Sequence, residues 1–259
     1  LFRIWVTSAD NILDGEDKIT LPLKIPGESR IMRQVISIMA ADRIMRRILD
    51  EAVEKSVIAR EDSSLLSDKS LRILLPSAAE EASEEGGILQ RPRPEYVLNT
   101  IHKLKTGLLF HIPFLGPEAI ELGIDQDRLS GCKEGLVRFG IGCQLLDDIR
   151  DMARDYLEKR QNYVLSCIFR QGRSGDIDLL KDLEKDMRVQ DKIFPFFNQV
   201  VLPAAELAGD LLKEGLFILD KLGLGLGDAA ARNMAGSMFK ILDVGELAKC
   251  RLQAAALTM

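Results

Sequence analysis

Apolar residues recur every three to four positions along most of the chain, and alternation with a period of two is nearly absent. That spacing puts one face of each segment into a core if the backbone is helical. Over 30–56, Ile31, Val35, Ile38, Met39, Met45, Ile48, Leu49 and Val53 keep the helical period. A further helix is expected over 94–110, with proline supplying its first turn. A long helix is expected over 128–159, and others over 163–170, 177–190, 194–222 and 229–257. Breakers fall between them: "LPLKIPG" at 21–27, "EEGG" at 84–87, "RQGRSGD" at 170–176 and "LGLGLGD" at 222–228. Residues 60–93 form the most polar stretch, where order is least expected. The pattern predicts an all-α fold.

The chain has 259 residues, ample for a substantial core, and reads as a single domain over 1–259. Apolar residues at 46% and charged residues at 29% describe a soluble globular protein. A net charge of −5, with no basic run interleaved with aromatics, argues against a nucleic-acid partner. No run of apolar residues is long enough to span a bilayer, so stable membrane insertion is not expected. No signal peptide stands out, and a cytoplasmic location is expected. Leu1–Val6 reads like the middle of a buried helix, so further helices are expected to precede it. Cys132, Cys143, Cys167 and Cys250 lack CxxC spacing and read as free thiols of a reducing compartment. His102 and His111 lack zinc-site spacing and read as structural. The "LGLGLGD" run follows a helical pattern and has no Lys-Ser/Thr after it, so it reads as a helix–helix turn rather than a phosphate loop.

Chemistry concentrates in "QLLDDIRDMARD" at 144–155. Asp147, Asp151 and Asp155 are spaced i, i+4, i+8 and form one stripe on a helix, with Asp148 beside it. Like charges at this spacing repel, and a shared cation relieves them. Oxygen-only ligands suit Mg2+, which takes one or two carboxylates and completes its shell with phosphate oxygens and water. The alternative is an ordinary solvated face. Arg150 and Arg154 each follow a stripe aspartate by three residues and could pair with it. A second acidic cluster, "SADNILDGED", places Asp10, Asp14 and Asp17 on one helical face. Two acidic stripes on apolar helices imply a cavity charged at one end and apolar along its length.

"HKLKTGLLF" at 102–110 followed by "FGIGCQLLDDIRDMARD" at 139–155 resembles the trans-isoprenyl diphosphate synthases, within the class I isoprenoid synthases. The resemblance rests on Lys105–Thr106, then Gln144, then Asp147, Asp148 and Asp151. It implies an isoprenoid synthase-type helical bundle around a central apolar cavity. It implies Mg2+ bound by Asp10, Asp14, Asp147, Asp148 and Asp151. Lys105, Thr106 and Gln144 would be catalytic, with Lys105, Lys159 and Lys18 binding the substrate diphosphate. Trp5 and Val6 would form the floor that limits chain length. The reaction would condense isopentenyl diphosphate, the homoallylic substrate, with an allylic diphosphate, in a homodimer whose interface the apolar helix over 28–53 could supply.

The chain departs from that family's pattern in places. Asn11 stands where the first motif usually has Asp, and "GEDKITLPLK" offers Lys18 and Lys24 where an arginine pair is usual. The basic Gly-Lys-Arg segment expected ahead of the first motif does not occur within this sequence. Two alternatives therefore stand beside the prenyltransferase: a terpene cyclase or squalene/phytoene-type enzyme of the same fold, and a non-catalytic subunit of a heteromeric synthase.

Overall fold

The computed structural model describes residues 1–13, 15, 16, 18–23, 29–121, 123–172 and 174–248. Among these, every regular element is helical and none is a strand, as the spacing predicts. The chain divides into two compact units: Leu1–Lys69 with Leu115–Glu121, and Ser70–Phe114 with Leu122–Met259.

In the smaller unit, α1 (Phe2–Leu13) packs along α2 (Arg30–Glu54). The Ser29 hydroxyl accepts from the Met32 N–H and caps α2. The face that α2 buries is not the one its apolar period suggests. Gln34, Ser37 and Ala41 are buried, while Ile31, Met39 and Ile48 are exposed. A polar clamp accounts for part of this. The Lys18 carbonyl accepts from Asn11 Nδ2 at 3.0 Å and from Gln34 Nε2 at 2.9 Å, and the Ser8 and Thr20 hydroxyls lie 2.7 Å apart. The α5 helix (Leu115–Ile120) completes the elements assigned to this unit.

The α3 helix (Arg60–Ser83) spans the boundary between the units and corrects the expectation of weak order over 60–93. Its apolar residues are spread around the helix instead of forming a stripe, so the period carries little signal; of them Leu74 is buried and Leu65, Leu71 and Leu75 are exposed. In the larger unit, helix α6 (Gln126–Arg150) runs antiparallel to α10 (Asn198–Leu219). Glycines permit the approach: a Cβ at Gly135 would sit 3.0 Å from the Gly215 carbonyl oxygen, and one at Gly142 would sit 2.9 Å from that of Ala208. Leu145, Leu146, Ile149, Leu165, Phe194 and Leu212 are among the fully buried side chains of this core, each contributing about 1.5–3 kcal/mol.

The expected helix over 128–159 is interrupted. It ends at Arg150, Asp151 leaves helical geometry (φ −92°, ψ 13°), and α7 (Met152–Leu157) follows. The i→i+4 bonds from Asp151 N to Asp147 O and from Asp155 N to Asp151 O persist, so the acidic stripe survives the break. Asn162 caps α8 (Tyr163–Gln171). Helix α9 (Ser174–Glu184) is shorter than the expected 177–190, and a 3-10 turn (Phe194–Phe197) precedes α10. Gly223, Gly225 and Gly227 all have positive φ in the turn to α11 (Gly227–Ile241), where Asp220 Oδ1 accepts from the Leu226 and Gly227 N–H groups. The expected helix over 229–257 is interrupted: α11 ends at Ile241 and Asp243 takes a positive φ of 60°, while the expected end at 257 lies outside the described residues.

The segment over 94–110 is helical but not uniformly α. After one turn, α4 (Pro94–Tyr96), it widens to i→i+5 bonding over Val97–Ile101 and Lys103–Gly107, then tightens to a 3-10 helix over Leu108–Phe114. Wide turns of this kind are often found at functional sites.

Candidate functional site

The wide-turned segment lies against α6 in a repeating antiparallel register. His102 meets Asp148, Thr106 meets Gln144, and Phe110 lies over Gly140. Each step is four residues up one helix and four down the other. Thr106 Oγ1 donates to Gln144 Oε1 at 2.6 Å, which brings the Lys-Thr pair and the acidic motif into one place. Gly140 makes this possible, since a Cβ there would fall 2.5 Å from the Phe110 ring.

Asp148 is 3% exposed. Its Oδ2 accepts from the Tyr163 N–H at 2.6 Å and lies 2.9 Å from His102 Nε2, while Gln144 Nε2 donates to Oδ1 at 3.3 Å. Such a set of donors holds a buried carboxylate in place. Both oxygens of this expected metal ligand are thus engaged within the protein. Asn162 ties the neighbourhood together. Its Nδ2 donates to the Asp148 carbonyl at 2.6 Å and to Asp155 Oδ2 at 2.8 Å, while its Oδ1 caps α8 by accepting from Leu165 N. Burial, reinforced by the charge of Asp148, pushes the Asp155 carboxyl well above its ordinary range, against the Asn162 hydrogen bond.

Asp147 and Asp151 face a different environment. Arg150 donates twice to Asp151, at 2.7 and 2.6 Å, and also pairs with Asp147. Arg154 donates to Asp151 at 2.7 Å. The two arginines that the sequence allowed as partners therefore do pair with the stripe. The Asp147 carboxyl is pushed up to about 7, by burial first; Arg150 opposes this, and Asp151 and Asp148 add to it. A third of the Asp147 side chain remains open to solvent, which softens the desolvation its carboxyl feels. Carboxylate oxygens at this spacing suit Mg2+ as the protein's share of a shell completed by phosphate and water. Among the described residues, no group of three or more His, Cys, Asp or Glu could hold a metal ion by itself.

Lys105 Nζ lies 2.5 Å from a Glu84 oxygen and 3.3 Å from Glu81. Burial disfavours its charge, but the two carboxylates outweigh that and hold the ammonium above its ordinary value. Glu84 also accepts from the Gln161 N–H at 2.9 Å. These glutamates were missed by sequence reasoning because they lie in the polar 60–93 stretch with no period to mark them. His102, read as structural, is 2% exposed and sits against the buried Asp148, and its i, i+4 relation to Thr106 mirrors that of Gln144 to Asp148.

Lys159 is exposed and turns away from helical geometry at φ 56°. In the smaller unit, Asp10 is exposed, Trp5 and Val6 are half-buried, and Lys18 pairs with Glu16 at 2.5 Å. Asn11 is 1% exposed, and its Oδ1 has no hydrogen-bond partner among the described residues. Asp14 lies outside the described residues. Cys132, Cys143 and Cys167 are free thiols; burial pushes Cys143 up to about 12 and Cys167 up to about 11, so both stay protonated and unreactive. Cys250 lies outside the described residues. Among the described residues, no helix is long and apolar enough to cross a membrane. No family model, no curated protein and no solved structure matches the chain.

Proposed function

We propose that this chain is a Mg2+-dependent prenyltransferase of the isoprenoid synthase type. It would join isopentenyl diphosphate to an allylic diphosphate, giving a prenyl diphosphate of short or medium length. The observation that carries this reading is the 2.6 Å hydrogen bond between Thr106 and Gln144. It joins the two sequence motifs on which the resemblance rests, through a pair of side chains that composition alone does not bring together.

In this reading Asp147 and Asp151 provide carboxylate oxygens for Mg2+, which when bound would neutralise the leaving diphosphate. Asp148 serves as the buried anchor that orients Gln144. Lys105 donates to the diphosphate once it exchanges Glu81 and Glu84 for substrate oxygens. Arg150 and Arg154, already beside the stripe, supply further donors to the same anion. The allylic C–O bond breaks with its electron pair leaving on diphosphate. The isopentenyl double bond then attacks the cation, and a proton is lost. A homodimer belongs to the same proposal, and Ile44 and Ile48 on the exposed side of α2 offer apolar surface for it.

The test is product formation from labelled isopentenyl diphosphate with allylic diphosphates of increasing length, with and without Mg2+. Asp151→Ala should abolish turnover. Thr106→Val should lower it, because Gln144 loses the hydroxyl that holds its side-chain oxygen. No product from any allylic substrate would overturn the reading. A second reading, a non-catalytic subunit, is favoured by one observation: Lys105, Asp147 and Asp151 are each paired with protein charges. It requires a chain that is inactive alone yet alters the product of an active partner synthase.

A further inference from the structure

A cavity of about 560 Å³ opens in the larger unit beside the end of α7, between the Gly86–Leu89 turn, Tyr156–Leu157 and Phe169–Arg170. Its size is within the range of small-molecule sites. None of His102, Thr106, Gln144 and Asp148 lines it. Its charge differs from that of the chain. Arg91, Lys159 and Arg170 line it against one carboxylate, Glu184, in a protein of net charge −5. Glu184 is already engaged by the Tyr156 hydroxyl, which donates to it at 3.0 Å.

The three cations are held differently. Arg91 is the fixed floor: it donates to the carbonyls of Arg160 and Asp155 at 2.6 and 3.1 Å and lies over the Phe169 ring. Arg170 gives one N–H to the Arg91 carbonyl, and its side chain is otherwise exposed. Lys159 has no ion pair among the described residues, and its backbone is left-handed at φ 56°. Ile88 N donates to the Lys159 carbonyl at 2.8 Å, and position 87 takes glycine, since a Cβ there would fall 2.9 Å from Lys159 Cβ. The left-handed turn at Lys159 closes α7: Arg160 N donates to the Asp155 carbonyl at 2.8 Å and Lys159 N to the Tyr156 carbonyl at 3.3 Å. Among the lining residues, Leu89 is fully exposed and Phe169, beneath Arg91, is 37% exposed, so apolar surface is kept beside the cations.

We infer that this cavity binds an organic phosphate, with the anionic head between Lys159 and Arg170 and a short apolar tail against Leu89, Leu157 and Phe169. The head could belong to a free phosphate ester or to a lipid headgroup. The inference does not rest on the prenyltransferase reading.

The experiment titrates the full chain with octyl phosphate below its micellar concentration, and separately with phosphatidylcholine vesicles with and without phosphatidic acid. Arg170→Glu and Lys159→Gly are compared with the wild type. Glycine accepts the Lys159 backbone without strain, so Lys159→Gly should keep or raise the melting temperature while binding weakens about ten-fold through loss of a charge-assisted contact. Octyl phosphate binding lost in both variants supports a site for soluble esters. Binding confined to phosphatidic acid vesicles and lost in both variants supports a headgroup site. Binding to neither ligand, or unchanged binding in folded variants, overturns the inference. So does loss of octyl phosphate binding in Asp151→Ala, because it would put the ligand at the acidic stripe instead.

Discussion

His102 Nε2 lies 2.9 Å from Asp148 Oδ2, one turn along from the bond between Thr106 and Gln144. Gln144 touches both bonds, accepting from Thr106 and donating to Asp148. The three contacts form one chain between two helices. Replacing His102 by Phe removes a donor from a buried carboxylate and should cost about 1–3 kcal/mol in urea unfolding. Combined with Thr106→Val, the losses should fail to add, with a coupling of about 0.5–3 kcal/mol. Simple additivity in the double-mutant cycle would mean that the two bonds act separately.

Gly140→Ala should destabilise the larger unit by about 1–3 kcal/mol, because the new Cβ meets the Phe110 ring, 2.5 Å away. Phe110→Leu in the same chain should recover part of the loss. A glycine-to-alanine change in a helix otherwise stabilises, so the sign alone tests the packing.

Lys105→Met leaves Glu84, whose side chain is 3% exposed, without its cation. Breaking such a pair costs about 3–5 kcal/mol. Adding Glu84→Gln should restore most of it, though Gln161 then loses a charged acceptor. If the single variant unfolds at the wild-type urea midpoint, the pairing contributes nothing to stability.

The raised Asp147 carboxyl gives a pH signature. Its folded value, about 7, lies above the ordinary carboxylate value, so folding favours the protonated form. Its contribution is fully present below the ordinary value and is lost as pH rises through about 7. Asp147→Asn has no such loss. Its stability relative to the wild type should therefore climb between about pH 4 and 7 and level off above that, as melting temperatures of the two proteins would show. A flat difference over that range would contradict the shift.

Legibility in the sequence followed the apolar stripe. Helices α8 and α10 carry clear periods and form where the spacing puts them; α6 is the exception, having no apolar stripe and stopping at Arg150, short of the expected 159. Helix α3 has no stripe, because its position depends on Glu80, Glu81 and Glu84 bonding to distant partners such as Gln161 and Lys105. On α2 the period was visible, but the buried side is the polar one, where Gln34 and Asn11 share the Lys18 carbonyl. Thr106 and Gln144 were legible as motif residues. The partners that occupy Lys105 and Asp148 were not, since pairing across the fold leaves no local spacing to read.

The wide turns between Val97 and Gly107 also fix the angular phase of everything after them. Deleting one residue from Val97–Ile101, with the following turns keeping their width, would rotate the downstream side chains by about 100°. His102, Thr106 and Phe110 would then swing off α6 together, whereas a point change removes one of them. A single-residue deletion here should therefore do more damage than any one substitution among the three. Insertion or deletion scanning across 97–107 would reveal the segment as a length-sensitive gear between the two helices.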